Sequence, residues 1–312
     1  MKTCIIKGIQ KVLLNSIIVI LYLVYLFPVK LLAQDTTVVF IDPVYSQKEK
    51  IEFKMRFLHS GDDWSYKQYM SYNYDYKQFA YALLMANKYD NIRACYYVYW
   101  CLVEDLYERY GIDVDTATYN LVLPYLEKGA GQGNANCEYQ FSYLMSSKRP
   151  YEQDSLRGKL KKLNKKHQVN NRIDDNDLIL KMVKGGEDQA LNDYLSNNNG
   201  VDVLPLAVLM ANRYNNGYAC YLVYYIIVNE LFAKNNIEID STNFSIAISF
   251  LNKGASYGSY ECFSELSTLY KNGIYYPKDL KKAEEYEIKR INVKQKSINE
   301  NYRSINTNSS ME

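Results

Sequence analysis

The chain has 312 residues and is nearly balanced in charge, with 37 lysines and arginines against 35 aspartates and glutamates. Glycine and proline are scarce, at 14 and 6 residues, which excludes collagen-like and low-complexity chains and disfavours a turn-rich all-β fold. Only two histidines occur, His59 and His167, so histidine-based zinc sites and most histidine-dependent catalysis are disfavoured.

Residues 1–33 have the pattern of an export signal. Lys2, Lys7 and Lys11 precede an apolar run over residues 12–27, and Ala33 stands before Gln34. The run is shorter than the ~20 apolar residues of a spanning helix, so we expect the signal to be cleaved. The alternative is an uncleaved anchor, which would be the protein's only contact with a membrane. We therefore predict an exported protein, either periplasmic or extracellular.

Loss of the signal would change the charge of the chain. The segment contains four lysines and no acidic residue, which leaves 33 basic against 35 acidic residues in the mature chain. A net basic charge, the usual attraction for nucleic acid, is then missing, so nucleic acid is not an expected partner. Residues 34–50 are rich in β-branched side chains at their start, and we predict an extended N-terminal segment there.

An internal duplication organises the rest of the chain. The sequence Met-Ala-Asn-Lys-Tyr at 85–89 returns as Met-Ala-Asn-Arg-Tyr at 210–214, an offset of 125 residues. The same offset relates Ala-Cys-Tyr at 94–96 to 219–221 and Lys-Gly-Ala at 128–130 to 253–255. We predict two tandem copies of a unit of about 125 residues, at 51–170 and 171–292, lying end to end.

The shared residues predict helices. Within residues 94–106 they recur at spacings of three and four, which is the buried stripe of an amphipathic helix: Ala94, Cys95, Val98, Tyr99, Val103 and Leu106. Four aspartates stand just before helical runs, where a carboxylate can accept free backbone N–H groups: Asp115, Asp154, Asp240 and Asp279. Gly254 and Gly273 are expected at helix ends. Residues 293–312 form a polar tail that we expect to be disordered.

The segment from about 245 to 290 resembles a Sel1-like repeat, a relative of the tetratricopeptide repeat. The resemblance rests on small, aromatic and glycine residues in the family's order: Ala247, Phe250, Gly254, Ala255, Gly258, Cys262, Leu266, Tyr270, Gly273, Pro277, Asp279, Ala283 and Tyr286. The first copy keeps part of this pattern but has Lys148 in place of the exit glycine. The resemblance implies an all-α fold, an α-solenoid of stacked antiparallel helical hairpins, and a role in protein–protein contacts.

Five cysteines follow the signal. Cys95 matches Cys220 and Cys137 matches Cys262 between the copies, whereas Cys101 has an isoleucine as its counterpart. An exported protein could form one disulfide per copy, Cys95–Cys137 and Cys220–Cys262. The odd count and the placement inside helices favour free thiols packed between helices.

Tyrosine is abundant, with 33 residues against 10 phenylalanines, and several tyrosines crowd one helix of each copy. We expect most of these tyrosines to be buried in the core, with the hydroxyl group reaching solvent or a hydrogen-bond partner. Aromatic residues that differ between the copies are better candidates for contacts with a partner, and we name Tyr97, Trp100 and Tyr225.

Two charged features have plain structural interpretations. The acidic loops at 113–115 and 238–240 fall short of a calcium cage, and helix capping explains them. The basic run at 157–167 is expected to be a solvated helix, with an anionic glycan or membrane surface as the alternative.

No cofactor-binding, metal-binding or catalytic pattern is evident. We predict a non-catalytic scaffold, not an enzyme, that binds another protein. The alternative is an exported enzyme or accessory protein acting on cell-envelope polymers or glycans, and a third hypothesis is a structural component of an envelope complex.

Overall fold

The computed structural model describes residues 45–146, except residue 74, and residues 178–308. The predicted signal, residues 34–44 of the extended segment, Asp154 and the basic run at 157–167 therefore lie outside the described residues. Residues Met1–Glu49 and Lys50–Glu312 form two compact units, and almost all the described helices belong to the second.

Every regular element in the described part of the chain is a helix, which confirms the all-α prediction. The helices of the first half are α1 Gln47–Ser60, α2 Asp63–Tyr72, α3 Phe79–Lys88, α4 Ile92–Tyr99, α5 Leu106–Tyr110, α6 Thr116–Gly131 and α7 Ala135–Ser146. Those of the second half are α8 Asp188–Asn197, α9 Gly200–Arg213, α10 Gly217–Tyr225, α11 Ser241–Ser256, α12 Tyr260–Asn272 and α13 Leu280–Asn308. Wider π-helical turns follow α4 at Trp100–Asp105 and α10 at Ile226–Phe232.

The N-terminal segment becomes helical earlier than we expected. α1 begins at Gln47, so residues 47–50 are not extended. Ser46 and Glu49 explain this start, because the Glu49 carboxylate accepts a hydrogen bond from Ser46 N at 2.7 Å while Glu49 N donates to Ser46 Oγ at 3.3 Å. This reciprocal capping box satisfies two backbone donors that a helix end leaves free.

The stripe predicted for residues 94–106 is confirmed. All six shared residues are buried, with exposures of 3% or less. The predicted N-caps are also confirmed wherever they lie within the described chain. Asp115 accepts from Thr118 N at 2.8 Å, Asp240 from Asn243 N at 2.9 Å and Asp279 from Lys282 N at 3.0 Å.

The two glycines expected at helix ends differ. Gly273 ends α12 with φ +70, a conformation that favours glycine. Gly254 lies inside α11, which continues to Ser256, so that prediction was wrong. A Cβ atom at Gly254 would lie 2.4 Å from Cys262 Sγ, so glycine is present here because two helices approach closely.

Most helix bounds of the two halves coincide within one residue at an offset of 125 residues, although α9 begins four residues before the counterpart of the start of α3. α2 and α8 span 63–72 and 188–197, and α6 and α11 span 116–131 and 241–256. The turns coincide too, since Gly61 and Gly186 have φ +69 and +68, and Asp90 and Asn215 both have φ 52.

Within each half, consecutive helices pack on one another: α3 on α4, α4 on α6 and α6 on α7, then α9 on α10, α10 on α11, α11 on α12 and α12 on α13.

Contacts between the halves are reciprocal. Asn87 Nδ2 donates to Asn243 Oδ1 at 3.0 Å, and its counterpart Asn212 donates to Thr118, the counterpart of Asn243, at 3.0 Å. Lys88 and Arg213 likewise donate to the carbonyl oxygens of Glu238 and Asp113, which are also counterparts. Reciprocal hydrogen bonds between counterpart residues are expected when two similar halves pair face to face about a two-fold axis.

This pairing differs from the end-to-end arrangement that we expected, and α3 and α9 provide the reason. Eight consecutive residues of α3, Phe79 to Ala86, are buried, and so are nine of α9, Val203 to Ala211. A helix that is apolar on all sides must be covered on all sides. Because α3 and α9 pack against each other, each helix buries apolar side chains that its own half alone would leave exposed.

The predicted disordered tail is helical as far as Asn308, the end of α13, and only residues 309–312 of it lie outside the described chain. The segment begins with Lys294, Gln295 and Lys296, which favour helix, and α13 is docked on α12 at its start. A helix already nucleated by packing extends at low cost.

Candidate functional site

An open cleft of about 390 Å³ lies in the second half, where three helices begin. α8, α10 and α12 start at Asp188, Gly217 and Tyr260, and the loops before them complete the walls. The side chains that matter most at the cleft are Asp188, Tyr214, Tyr218, Tyr257, Ser259 and Glu261.

The base of the cleft is built by close packing around two glycines. Gly186 has φ +68, and the ring of Tyr214 lies over it, 3.0 Å from where a Cβ atom would stand. The Tyr214 hydroxyl donates to the carbonyl oxygen of Val183. At Gly217 a Cβ atom would lie 2.9 Å from the Cβ of Ser259, so glycine lets the start of α10 approach the loop before α12.

Of the three helix starts around the cleft, those of α10 and α12 have a side-chain cap, whereas the N-cap residue of α8, Glu187, forms no such hydrogen bond. Asn216 accepts from Ala219 N at 2.8 Å and donates to the Asp188 carboxylate. Ser259 accepts from Cys262 N at 3.3 Å and donates to Glu261 Oε2 at 2.9 Å. Asp188 and Glu261 lie in the first turns of α8 and α12, where negative charge interacts favourably with the helix dipole.

A row of tyrosines extends one wall of the cleft along α10. The rings of Tyr218, Tyr221 and Tyr225 follow one another with centroids 6.2 and 5.9 Å apart and interplanar angles of 32° and 34°. Tyr225 is 37% exposed, and the other two are partly buried. The row therefore presents aromatic surface beside the cleft.

Carboxylates on α12 face this tyrosine row. Burial, with the nearby charge of Glu265, raises the pKa of Tyr221 to about 12. Burial also raises the pKa of Glu265 itself. Among the described residues, none donates a hydrogen bond to the Glu265 carboxylate and none forms an ion pair with it. The surface between α10 and α12 is thus aromatic on one side and acidic on the other.

Of the three residues predicted to contact a partner, only Tyr225 belongs to this surface. Trp100 is 5% exposed, and its ring meets Tyr97 edge-to-face with centroids 6.5 Å apart. Tyr97 is half-buried and packs in the same manner on Tyr66, at 6.1 Å. In the first half these aromatic rings belong largely to the core.

The cysteines are placed for packing. Cys95, Cys101, Cys137, Cys220 and Cys262 are all free and buried in the structure. Burial raises the pKa of Cys220 to about 11 and of Cys137 and Cys262 to about 12, so these thiols stay protonated at neutral pH. The structure therefore does not contain the alternative disulfides Cys95–Cys137 and Cys220–Cys262.

The described residues contain neither a group of metal ligands nor a membrane-spanning helix. No three His, Cys, Asp or Glu side chains among them are grouped as ligands for a metal ion. No helix in the same part of the chain combines the length and hydropathy needed to cross a membrane.

Sequence reasoning missed the cleft itself. Its residues come from three helix starts that are 29 and 43 positions apart, and nothing local joins them. A signal was nevertheless present, because Tyr218 and Glu261 differ from their counterparts, Arg93 and Asn136. Comparing the copies position by position would have selected them.

Neither a family model nor a curated protein sequence matches this chain. The resemblance to Sel1-like repeats stays a prediction from its own residues.

Proposed function

We propose that this chain is an exported, non-catalytic scaffold of Sel1/TPR-like repeats that binds another protein. The observation that carries the proposal is the surface made by the open cleft and the tyrosine row of α10. Tyrosine supplies large contact area at a low entropic cost, and aromatic residues dominate binding hot spots.

The repeat architecture is part of the same proposal. Two copies of a unit of about 125 residues are supported by the helix bounds and turns that coincide at that offset. A solenoid of helical hairpins within each half is supported by the packing of each helix on the next. Aromatic packing between helices of the segment that resembles a Sel1-like repeat supports the proposal, since the Tyr270 and Tyr286 rings stack with centroids 5.8 Å apart.

Export to the periplasm or the cell exterior is proposed from residues 1–33 alone. The charged start, apolar run and small residue before Gln34 support it. A test is to express the full chain with a C-terminal tag and determine the N-terminus of the mature protein by mass spectrometry. A mature chain that retains Met1 and stays in the cytoplasm would contradict export.

Affinity capture from the protein's own cell envelope tests the binding role. The bait is the wild-type protein, compared with a Tyr218→Ala, Tyr225→Ala variant. The matched control is Tyr139→Ala, which removes a tyrosine that is 70% exposed on α7 of the first half. We expect the wild type and the control to capture the same partner and the cleft variant to lose it. The same captured proteins with all three baits would contradict a role for this surface.

A further inference from the structure

One difference between the halves removes a positive charge from the cleft. In the first half Arg93 Nε lies 3.6 Å from Asp63 Oδ1, and both side chains are partly exposed. In the second half the counterpart of Asp63 is Asp188, but the counterpart of Arg93 is Tyr218. No cation of the described chain forms an ion pair with Asp188.

Two further differences open the second cleft and make it more acidic. Gly217 replaces Ile92, which removes a side chain from the start of the helix, and Glu261 replaces Asn136, which exchanges a neutral amide for a carboxylate. The shared asparagine is unchanged in role, since Asn91 donates to Asp63 at 2.8 Å and Asn216 donates to Asp188. The second half thus keeps the acceptor, lacks the internal arginine and gains space and negative charge.

We propose that this cleft binds an arginine side chain of a partner polypeptide, in the place that Arg93 takes in the first half. The proposal rests on the binding role proposed above and names the chemistry of the partner. A guanidinium pairs with the carboxylates of Asp188 and Glu261 and stacks on a tyrosine ring, as planar guanidinium groups do.

The opposite ligand, an anion, fits less well. Helix starts attract anions through free backbone N–H groups. Here the Asn216 and Ser259 side chains already accept from Ala219 N and Cys262 N. Asp188 and Glu261 also place negative charge at the starts of α8 and α12, where an anion would otherwise bind. A cationic group is therefore the complementary ligand.

Isothermal titration of the purified full chain with short peptides tests this. The probe is acetyl-Gly-Arg-Gly-Arg-Gly-amide, and its control is the same peptide with citrulline, the neutral isostere, in place of arginine. We expect the arginine peptide to bind at least about tenfold more tightly than the citrulline peptide, with weaker binding at higher salt. Equal affinities for the two peptides, or tighter binding of inorganic phosphate, would overturn the proposal.

Variants assign the binding to the cleft. Asp188→Asn with Glu261→Gln should weaken arginine-peptide binding at least about tenfold, whereas Asp63→Asn in the first half should leave it unchanged. Tyr218→Arg installs the first half's own cation and should block the peptide while thermal melting stays that of a folded protein. If Asp63→Asn weakens binding as much as the double variant, or if folded Tyr218→Arg binds like the wild type, the cleft is not the site.

Combining the two experiments separates this inference from the binding role. A partner that is lost with the Tyr218→Ala, Tyr225→Ala bait but is not displaced by the arginine peptide would preserve the scaffold and reject the arginine cleft. Displacement of that partner by the arginine peptide, and not by the citrulline peptide, would support both.

Discussion

Two glycines occupy equivalent places where helices touch. A Cβ atom at Gly129 would lie 2.4 Å from Cys137 Sγ, and one at Gly254 would lie 2.4 Å from Cys262 Sγ. Neither glycine has a positive φ, so the need is for space and not for an unusual backbone. The Lys-Gly-Ala sequence shared by the copies thus reflects a helix contact that both halves retain.

Gly254→Ala is expected to destabilise the protein by about 1–3 kcal/mol, because the added methyl group overpacks a contact with no free space. Urea unfolding followed by circular dichroism measures the change. Gly131→Ala is the matched control, since nothing lies within 4 Å of its Cβ position, and it should be neutral or slightly stabilising. Equal stability of the Gly254→Ala variant and the wild type would contradict the packing contact.

Asp105 is a buried carboxylate near the start of α3. It is 2% exposed and accepts hydrogen bonds from Tyr76 N and Arg109 Nε, each at 2.7 Å. Burial raises the pKa of Asp105 to about 6, with Asp75 adding to the rise, although Arg109 opposes it. The folded protein therefore binds this proton more tightly than the unfolded chain does.

The stabilising effect of protonated Asp105 should be complete below about pH 4, the pKa of an unfolded aspartate, and lost as pH rises through about 6. The free energy of unfolding of the wild type relative to Asp105→Asn should then fall by roughly 2 kcal/mol between pH 4 and pH 7. Urea melts at several pH values measure this difference. A difference between the wild type and Asp105→Asn that does not change with pH would reject the raised pKa.

At the scale of elements, the important pair is α3 and α9. Their apolar residues cover each other, and their polar ends exchange hydrogen bonds with the opposite half. Asn87 also donates to Tyr125 Oη at 2.9 Å, and Asn212 accepts from Lys253 Nζ at 2.7 Å. Each asparagine thus links its own half to the other half.

Asn87→Ala and Asn212→Ala should each cost about 1–3 kcal/mol, because each leaves partly buried polar partners unpaired. Similar losses in the two variants are expected from the reciprocal geometry, and denaturant melts measure them. Asn120→Ala, on the exposed side of α6, is the control and should change stability by less than about 0.5 kcal/mol. A large loss for one asparagine alone would contradict the two-fold pairing.

At the scale of the molecule, the two halves share one apolar core. A buried hydrogen bond of 2.6 Å between the hydroxyl groups of Tyr76 and Tyr194 also joins them. The chain has two tryptophans, Trp64 and Trp100, and both lie in the first half. Tryptophan fluorescence therefore reports on that half, while circular dichroism reports on both.

The Gly254→Ala variant should shift the tryptophan fluorescence transition by as much as the circular dichroism transition, although the substitution lies in the second half. A shared core makes unfolding cooperative across both halves. Separate transitions, with fluorescence unchanged and circular dichroism shifted, would show that the halves unfold independently.

Local features of the fold were predictable because their causes are local. The helix of Ala94, Cys95 and Val98 follows from the spacing of apolar residues along a few turns. Caps such as Asp240 follow from a side chain and a backbone N–H three residues apart. Gly254 was misjudged because its role depends on Cys262 in another helix. Trp100 is only 5% exposed, because a difference between copies can serve packing as well as binding, and its contact with a partner stays a prediction.

The sequence by itself determined that the chain is helical, where most helices begin and end, and that its two halves correspond at an offset of 125 residues. Only the tertiary structure decided that α3 and α9 face each other and that the starts of α8, α10 and α12 enclose a cleft. The physical reason is that helical periodicity depends on neighbours a few residues away. The choice of which apolar surface covers which depends on residues more than a hundred positions apart, through burial that has no direction of its own.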